Sequence, residues 1–148
     1  MLALSKYVQP EMVLELTATD KNAAFAEMVD AAVSAGHLVE AKTFLDKLIE
    51  REAQGSTAFG YGVALPHARI EDLDDIFLVV GRSKAGIDFD SRDGSPVHLV
   101  FMSGISTDQA QYLQLISRIS WLVRNDKLRQ SLVEAPSIKD LHQTLAQH

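Results

Sequence analysis

Two apolar runs constrain the fold of this 148-residue chain more than any other feature of its sequence. Residues 76–80 are apolar without interruption, and residues 97–102 are apolar except for one histidine. A strand that faces water on one side alternates apolar and polar side chains, whereas a continuous apolar run indicates a central strand covered on both faces. We therefore predict a sheet with helices packed against both of its faces.

Helical periodicity surrounds these two strands. Apolar residues recur at helical spacing in two segments before the strands and three after them, which predicts helices at residues 22–35, 41–52, 109–123, 126–134 and 137–146. Shorter strands are predicted at residues 13–16, 62–66 and, at an edge, 87–89. The pattern indicates an α/β fold, a three-layer α/β/α sandwich, and the length fits a single domain spanning residues 1–148.

Composition and charge narrow the classes of function. The net charge of −6 argues against nucleic-acid binding and suits docking to a basic face of a partner protein. The absence of cysteine excludes disulfides, thiol catalysis and cysteine metal sites. The N-terminus lacks the sustained apolar segment of a signal peptide, and no apolar run approaches membrane-spanning length. We expect a cytoplasmic protein with no direct membrane insertion.

The candidate functional residues are concentrated between positions 51 and 69. His67 follows Pro66, whose ring fixes one backbone torsion and biases the preceding residue toward an extended conformation. A histidine in this place is presented by the backbone, and imidazole is a good phosphoryl acceptor near neutral pH. Arg51 and Arg69 carry permanent charge with a geometry that suits phosphate. The set predicts a histidine that handles a phosphoryl group.

The same stretch resembles the signature of the enzyme IIA family of the bacterial phosphoenolpyruvate-dependent phosphotransferase system, fructose/mannitol type. Four motif elements carry the resemblance: Arg51-Glu52, Gly55-Ser56-Thr57, Gly60-x-Gly62 and Pro66-His67. Three more follow downstream: Gly86-Ile87-Asp88-Phe89, Asp93-Gly94 and Pro96-Val97. Because so many spacings agree together, the signal is specific, and it covers nearly the full chain.

The resemblance implies a fold, an activity and a set of partners. It implies a mixed central sheet and a phosphotransferase component in which His67 takes a phosphoryl group from a small phosphocarrier protein and holds it as phosphohistidine. Arg51 would stabilise the phosphate, Gly55 and Gly62 would shape the pocket, and Pro66 would present the histidine. No cofactor and no metal enter this scheme.

Several supporting residues keep two interpretations each. Glu52 would either hold Arg51 in place or cap the turn that follows. Ser56 and Thr57 would either contact the phosphate or only cap the turn. Arg69 would lie either on the rim of the site or on a solvated loop.

One position departs from the family pattern. The family often carries a second histidine immediately before a leucine at the start of the helix after the last long strand, and here Tyr112 stands in that place. Tyr112 would either hydrogen-bond His67 through its hydroxyl or pack as a buried aromatic on the helix. Tyrosine in place of this histidine affects the expected rate of phosphoryl transfer and the expected protein that receives the phosphoryl group next.

Three functions follow as hypotheses. The residues at 86–89 and 93–94 resemble the nitrogen-regulatory branch of the family more than the sugar-transport branch. This resemblance favours a switch whose phosphorylation state controls a regulatory target protein. The alternatives are a stand-alone sugar-transport component that passes the phosphoryl group to a IIB protein, and a binding module that is not phosphorylated. The sequence leaves the phosphorylated ring nitrogen and the oligomeric state open.

Two other motif-like segments do not support a different chemistry. Residues 88–94 superficially resemble a calcium loop, but an arginine intrudes and Leu99 stands where the bidentate glutamate belongs. The pair Gly60 and Gly62 is not a dinucleotide fingerprint, since Leu65 replaces its third glycine. The other histidines lack metal-ligand spacing.

Overall fold

The computed structural model describes residues 2–148, which form a central sheet with helices on both sides. Two 3-10 helices, Leu4–Lys6 and Pro10–Met12, precede the first strand. The strands are β1 Val13–Glu15, β2 Ala58–Gly60, β3 Val63–Ala64, β4 His67–Arg69, β5 Phe77–Ile87 and β6 Val97–Ile105. The α-helices are α1 Lys21–Ser34, α2 Ala41–Ala53, α3 Gln109–Arg124, α4 Asp126–Val133 and α5 Ile138–Ala146.

The sheet is mixed, as the family resemblance implied. Its strand order is β1-β5-β6-β3-β2, and β4 also pairs with β6. The two long strands, β5 and β6, are antiparallel neighbours at the centre. β1 is parallel to β5, while β3 and β4 are both parallel to β6.

Alternate residues of the central strands enter two separate cores. Phe77 and Val79 of β5 belong to the core beneath α1 and α2. Leu78 and Val80 belong to the core beneath α3, α4 and α5. All four side chains are fully or almost fully buried, so the strand is covered on both faces. The three-layer α/β/α sandwich predicted from the apolar runs is confirmed.

The helices begin and end within about one residue of their predicted bounds because their capping signals are local. Each begins after a polar residue whose side chain accepts a hydrogen bond from a backbone N–H in the first turn. These N-cap residues are Asp20, Glu40, Asp108, Asn125 and Ser137.

The strands depart further from prediction. β5 continues to Ile87, so the separate edge strand predicted at 87–89 does not form. The extension carries Arg82 into the interior, where only 1% of its surface is exposed. Its guanidinium donates to both carboxylate oxygens of Glu15, at 3.0 and 2.7 Å, and to the Ala135 carbonyl at 2.6 Å. These partners satisfy the charge of the buried guanidinium.

Pro66 interrupts one strand without ending it. The predicted strand at 62–66 is β3, and the chain resumes pairing with β6 at His67, in the same register on both sides of the interruption. Pro66 has no N–H to donate, yet its carbonyl accepts from the Ser103 amide at 3.0 Å. His67 is therefore the first residue of β4 and lies opposite Ser103.

Candidate phosphoryl-transfer site

The half-buried His67 lies on the α3 side of the sheet, since its neighbour Ala68 enters the opposite core. Its Nδ1 lies 3.1 Å from the Leu65 carbonyl oxygen. A carbonyl only accepts hydrogen bonds, so this contact requires the proton on Nδ1 and leaves the lone pair on Nε2. In the neutral ring, Nε2 is therefore the nitrogen whose lone pair is free.

Tyr112 of α3 lies beside this imidazole. The two ring centroids are 5.4 Å apart and the rings are tilted by 43°. Tyr112 also packs against the core beneath α3, which matches its interpretation as a packed aromatic, and its contact with His67 is between the two rings. Burial raises the pKa of its hydroxyl, and the nearby Arg51 acts in the opposite direction. The phenol therefore stays neutral at neutral pH.

Arg51 lies in the last turn of α2, where a cation also complements the helix dipole. Its Nη1 donates to the Gly55 carbonyl at 2.8 Å. This bond anchors the guanidinium and uses one of its five N–H groups, so the others remain for an anion. The helix-end position that the sequence allowed is compatible with a role in phosphate binding.

Glu52 is buried and stabilises the turn after α2. Its carboxylate accepts from the Thr57 backbone N–H at 2.9 Å and from the Thr57 hydroxyl at 2.6 Å. The ammonium of Lys21 lies 3.8 Å away. These contacts match the turn-capping interpretation, and they direct the Thr57 hydroxyl hydrogen toward Glu52.

Ser56 is also engaged in the turn. Its hydroxyl donates to the Phe89 carbonyl and accepts from the Ala58 backbone N–H at 3.1 Å. Together with the Thr57 contacts, this geometry favours the capping interpretation for both hydroxyl residues. The turn is thereby joined to the loop that follows β5.

Gly62 permits the close approach of the strands beneath the site. Its φ is +74°, and a Cβ at this position would lie 3.3 Å from the Pro96 carbonyl oxygen. Its own carbonyl accepts from the His98 amide at 2.8 Å. Any other residue would strain this turn and loosen the start of β3.

A cleft of about 460 Å³ opens over the histidine. His67, Arg51 and Arg69 share it, so Arg69 lies on the rim of the site. The lining also includes side chains that sequence analysis missed: Lys47, Glu50, Gln54, Gln109 and Leu113. Three cationic side chains thus meet one carboxylate, although the chain as a whole carries a net charge of −6. This local excess of positive charge favours an anion in the cleft.

Some of the missed residues had a detectable signal. Lys47, Arg51 and Gln54 recur at helical spacing, which places them on one side of α2 and its C-cap once Arg51 is chosen. Gln109 gave no such signal, because it reaches the cleft only through the packing of α3.

A second, smaller cleft of about 210 Å³ also borders the histidine. His67, Arg51 and Tyr112 line both clefts. Within residues 2–148, no group of three His, Cys, Asp or Glu side chains has the arrangement of a metal site. None of the helices in that range has the length and apolar character needed to cross a bilayer.

Comparison with known sequences identifies the family. Residues 7–148 match the family described as "Phosphoenolpyruvate-dependent sugar phosphotransferase system, EIIA 2". The chain is 35% identical over 137 residues to the "PTS system fructose-specific EIIABC component" of Bacillus subtilis, covering 91% of this chain and 21% of that longer protein. It is 33% identical to the "PTS system fructose-specific EIIA component" of Haloferax volcanii, covering 90% and 88%. It is also 33% identical to a "Nitrogen regulatory protein" of Bradyrhizobium diazoefficiens, covering 98% and 95%.

Solved structures share the fold. Nitrogen regulatory protein IIA-Ntr from Neisseria meningitidis superposes with a TM-score of 0.87 at 23% identity, covering 96% of this chain and 98% of that one. The IIA chain in a complex of enzyme IIA-Mtl with phosphorylated enzyme IIB-Mtl from Escherichia coli superposes with a TM-score of 0.80 at 17% identity, covering 93% and 96%. The sequence matches, together with this architecture, show that the chain belongs to the EIIA type 2 family of phosphocarrier proteins of the phosphoenolpyruvate-dependent phosphotransferase system.

Proposed function

We propose that His67 is the phosphoryl acceptor and that Nε2 is the nitrogen that becomes phosphorylated. The observation that supports this assignment is the hydrogen bond from Nδ1 to the Leu65 carbonyl, within a cleft of positive charge. The bond leaves a lone pair on Nε2, and the cations attract the phosphoryl group. Phosphoryl transfer needs mainly such positioning and charge stabilisation from the protein.

The proposed step balances without proton transfer. The Nε2 lone pair attacks the phosphorus of a phosphohistidine on the donor. The P–N bond to the donor's imidazole breaks as the bond to Nε2 forms, and the electron pair of the broken bond stays on the donor's ring. Nδ1 of His67 keeps its proton and its contact with Leu65 throughout.

Two neighbours assist in this proposal. Arg51 stabilises the charge on the phosphoryl oxygens while Gly55 holds its guanidinium in place. Tyr112 restricts the imidazole through ring contact and remains a neutral group beside it. Glu52, Thr57 and Ser56 act indirectly, because they stabilise the turn that carries Gly55.

The proposed donor is a small phosphocarrier protein that itself carries a phosphohistidine. We assign the whole of residues 1–148 to one IIA unit, in accordance with the family match over 7–148. A partner of this class implies that the protein acts in the cytoplasm.

The fate of the phosphoryl group distinguishes two functions. The first is a nitrogen-regulatory switch, which the similarity to a nitrogen regulatory protein over 98% of this chain supports. The second is transfer to a IIB protein, supported by equal identity to a fructose-specific EIIA component and by the fold shared with a IIA that forms a complex with phosphorylated IIB. Pull-down with phosphorylated and unphosphorylated protein separates them. Partner binding that depends on the phosphorylation state while the phosphohistidine is retained supports the switch. Loss of the phosphohistidine to a captured IIB protein supports transfer.

A third candidate is a binding module of the same fold that is not phosphorylated. Its support is Tyr112 at the position where the family often has a second histidine. It predicts normal partner binding and no uptake of a phosphoryl group.

The deciding experiment is an intact-mass measurement after incubation with phosphoenolpyruvate, enzyme I and the small phosphocarrier protein. We expect one acid-labile phosphoryl group on the wild-type protein and on the control His148→Ala, whose histidine lies outside both clefts. We expect none on His67→Ala. Imidazole ¹⁵N chemical shifts of the product identify the nitrogen, and a bond at Nδ1 would contradict the assignment to Nε2.

A further inference from the structure

We propose that Arg69 is a second phosphate-binding residue, which receives the phosphoryl group as the donor protein docks. This inference rests on the proposed phosphorylation of His67. It assigns a role to a side chain that the sequence left open between the rim of the site and a solvated loop.

The placement of Arg69 follows from strand geometry. His67 and Arg69 are the first and last residues of β4, so their side chains emerge on the same face of the sheet, while Ala68 between them enters the opposite core. Two residues along a strand correspond to about 6.6 Å, a distance that a long arginine side chain is able to bridge. Both side chains line the same cleft as Arg51.

Gln109 orients the Arg69 guanidinium. The side-chain amide of Gln109 lies against it, and with the amide oxygen facing the guanidinium it accepts from Nη1 at 3.2 Å and from Nη2. Gln109 is the first residue of α3, and the capping bond from the Gln111 N–H to Asp108 holds that helix end in place. The guanidinium is therefore positioned by the wall of the cleft that also carries Tyr112.

Charge matching gives the second guanidinium a purpose. A phosphoryl group carries a charge of about −1.5 to −2 near neutral pH. Arg51 supplies one positive charge, and the remaining lining groups Lys47 and Glu50 have opposite charges. With Arg69, the two guanidinium groups in the cleft carry a total positive charge that nearly matches the negative charge of the phosphoryl group.

The two arginines differ in exposure, which predicts a division of roles. Arg51 is half-buried and bonded to the Gly55 carbonyl, so it remains beside His67. Arg69 is exposed at the outer end of β4. An exposed cation contributes mainly to the encounter with a charged partner, and this contribution declines as salt screens it.

The test compares Arg69→Gln with Arg92→Gln. Both variants remove one exposed positive charge, but Arg92 lies outside the His67 cleft. At low ionic strength we expect Arg69→Gln to lower kcat/KM for transfer from the phosphocarrier by about tenfold, and Arg92→Gln to change it by less than about twofold. The difference should shrink as salt is added, and Arg69→Lys should recover part of the lost rate.

A binding measurement keeps this inference distinct from the proposed function. Inorganic phosphate is titrated into the wild-type protein and both variants while NMR follows the His67 ring signals. We expect Arg69→Gln to weaken phosphate binding by about three- to tenfold, with no change for Arg92→Gln. If the wild-type protein takes up no phosphoryl group from any donor, the proposed function fails, and the phosphate titration still decides the role of Arg69.

Two outcomes overturn the proposal. One is a transfer rate for Arg69→Gln equal to that of Arg92→Gln at low salt. The other is equal phosphate binding by the two variants. Circular dichroism and thermal unfolding confirm that each variant is folded before the comparison is made.

Discussion

His67 and His98 make the same kind of hydrogen bond to a backbone carbonyl, but the space beside their rings differs. Nδ1 of His67 lies 3.1 Å from the Leu65 carbonyl, and Nδ1 of His98 lies 2.8 Å from the Ser83 carbonyl. The His98 ring fills the space beside Gly86, where an added Cβ would lie 3.1 Å from its Cε1. His67 instead opens onto a cleft with three cations. A backbone contact sets the tautomer of both rings, and only His67 borders the cationic cleft in which we propose that the phosphoryl group binds.

Replacing each histidine in turn gives the largest expected contrast. We expect His67→Ala to abolish phosphorylation and to leave the fold intact. His98→Ala should be phosphorylated fully, but we expect it to lose about 1–3 kcal/mol of unfolding free energy, because it leaves a void and an unpaired carbonyl. Intact mass and urea unfolding measure the two effects. A folded His98→Ala that takes up no phosphoryl group would contradict the contrast.

Removing the nearest cation tests whether charge distinguishes the two histidines. We expect Arg51→Gln to slow phosphorylation by about a hundredfold, the usual effect of deleting one donor to a charge that develops in a transition state. Rapid-quench kinetics measure the rate, and Arg92→Gln serves as the matched charge control. Equal rates for the two variants would show that Arg51 only caps α2.

Loosening the turn below the cleft should affect stability more than chemistry. Glu52→Ala removes the acceptor of two hydrogen bonds from Thr57, and we expect the unfolding free energy to fall by about 1–3 kcal/mol. Glu50→Ala, an exposed change on the same helix, should cost less than about 0.5 kcal/mol. Urea unfolding measures both, and an equal cost would refute the structural role of Glu52.

The smallest effect is expected for the hydroxyl of Tyr112. Tyr112→Phe keeps the ring contact with His67, so the transfer rate should stay within about threefold of the wild-type rate. A larger fall would indicate that the hydroxyl acts on the imidazole, which is the other interpretation of this residue.

Alkaline unfolding provides an independent check on the same side chain. Because burial raises the pKa of Tyr112, the unfolded chain loses this proton at lower pH than the folded protein. Stability should therefore decline as pH rises above about 10, and Tyr112→Phe should remove part of that decline. The exposed Tyr61 provides the control: Tyr61→Phe should keep the wild-type dependence, and an equal change in both variants would contradict the assignment.

Prediction from the sequence succeeded where the signals are local. The helix bounds follow from caps such as Asp20 and Asp108, which act within three residues. The two-faced burial of Leu78 and Val79 follows from an uninterrupted apolar run.

Prediction failed where distant partners decide. The predicted strand covered only the apolar run 76–80, whereas β5 continues through the buried Arg82, whose charge Glu15 and the Ala135 carbonyl satisfy. The sequence-based roles of His67, Arg51 and the surrounding residues stay predictions until they are measured.

Much of the candidate site lies within one short stretch of sequence. Pro66 and the Leu65 carbonyl adjoin His67, so the presentation of the ring and the proton on Nδ1 depend on a single strand and its interruption. Two hydrogen bonds that span at most five residues join Arg51 to Gly55 and Thr57 to Glu52. Sequence determined these relationships because short-range geometry leaves the chain few alternatives.

Tertiary structure decided which groups face one another across the cleft. Tyr112 and Gln109 reach His67 and Arg69 only because β4 lies beside β6 and α3 packs back over that end of the sheet. An acidic chain thereby presents a cleft lined by more cations than anions. Net charge is a sum over the whole sequence, whereas the field that an anion meets depends on the few charges that folding brings within range of it.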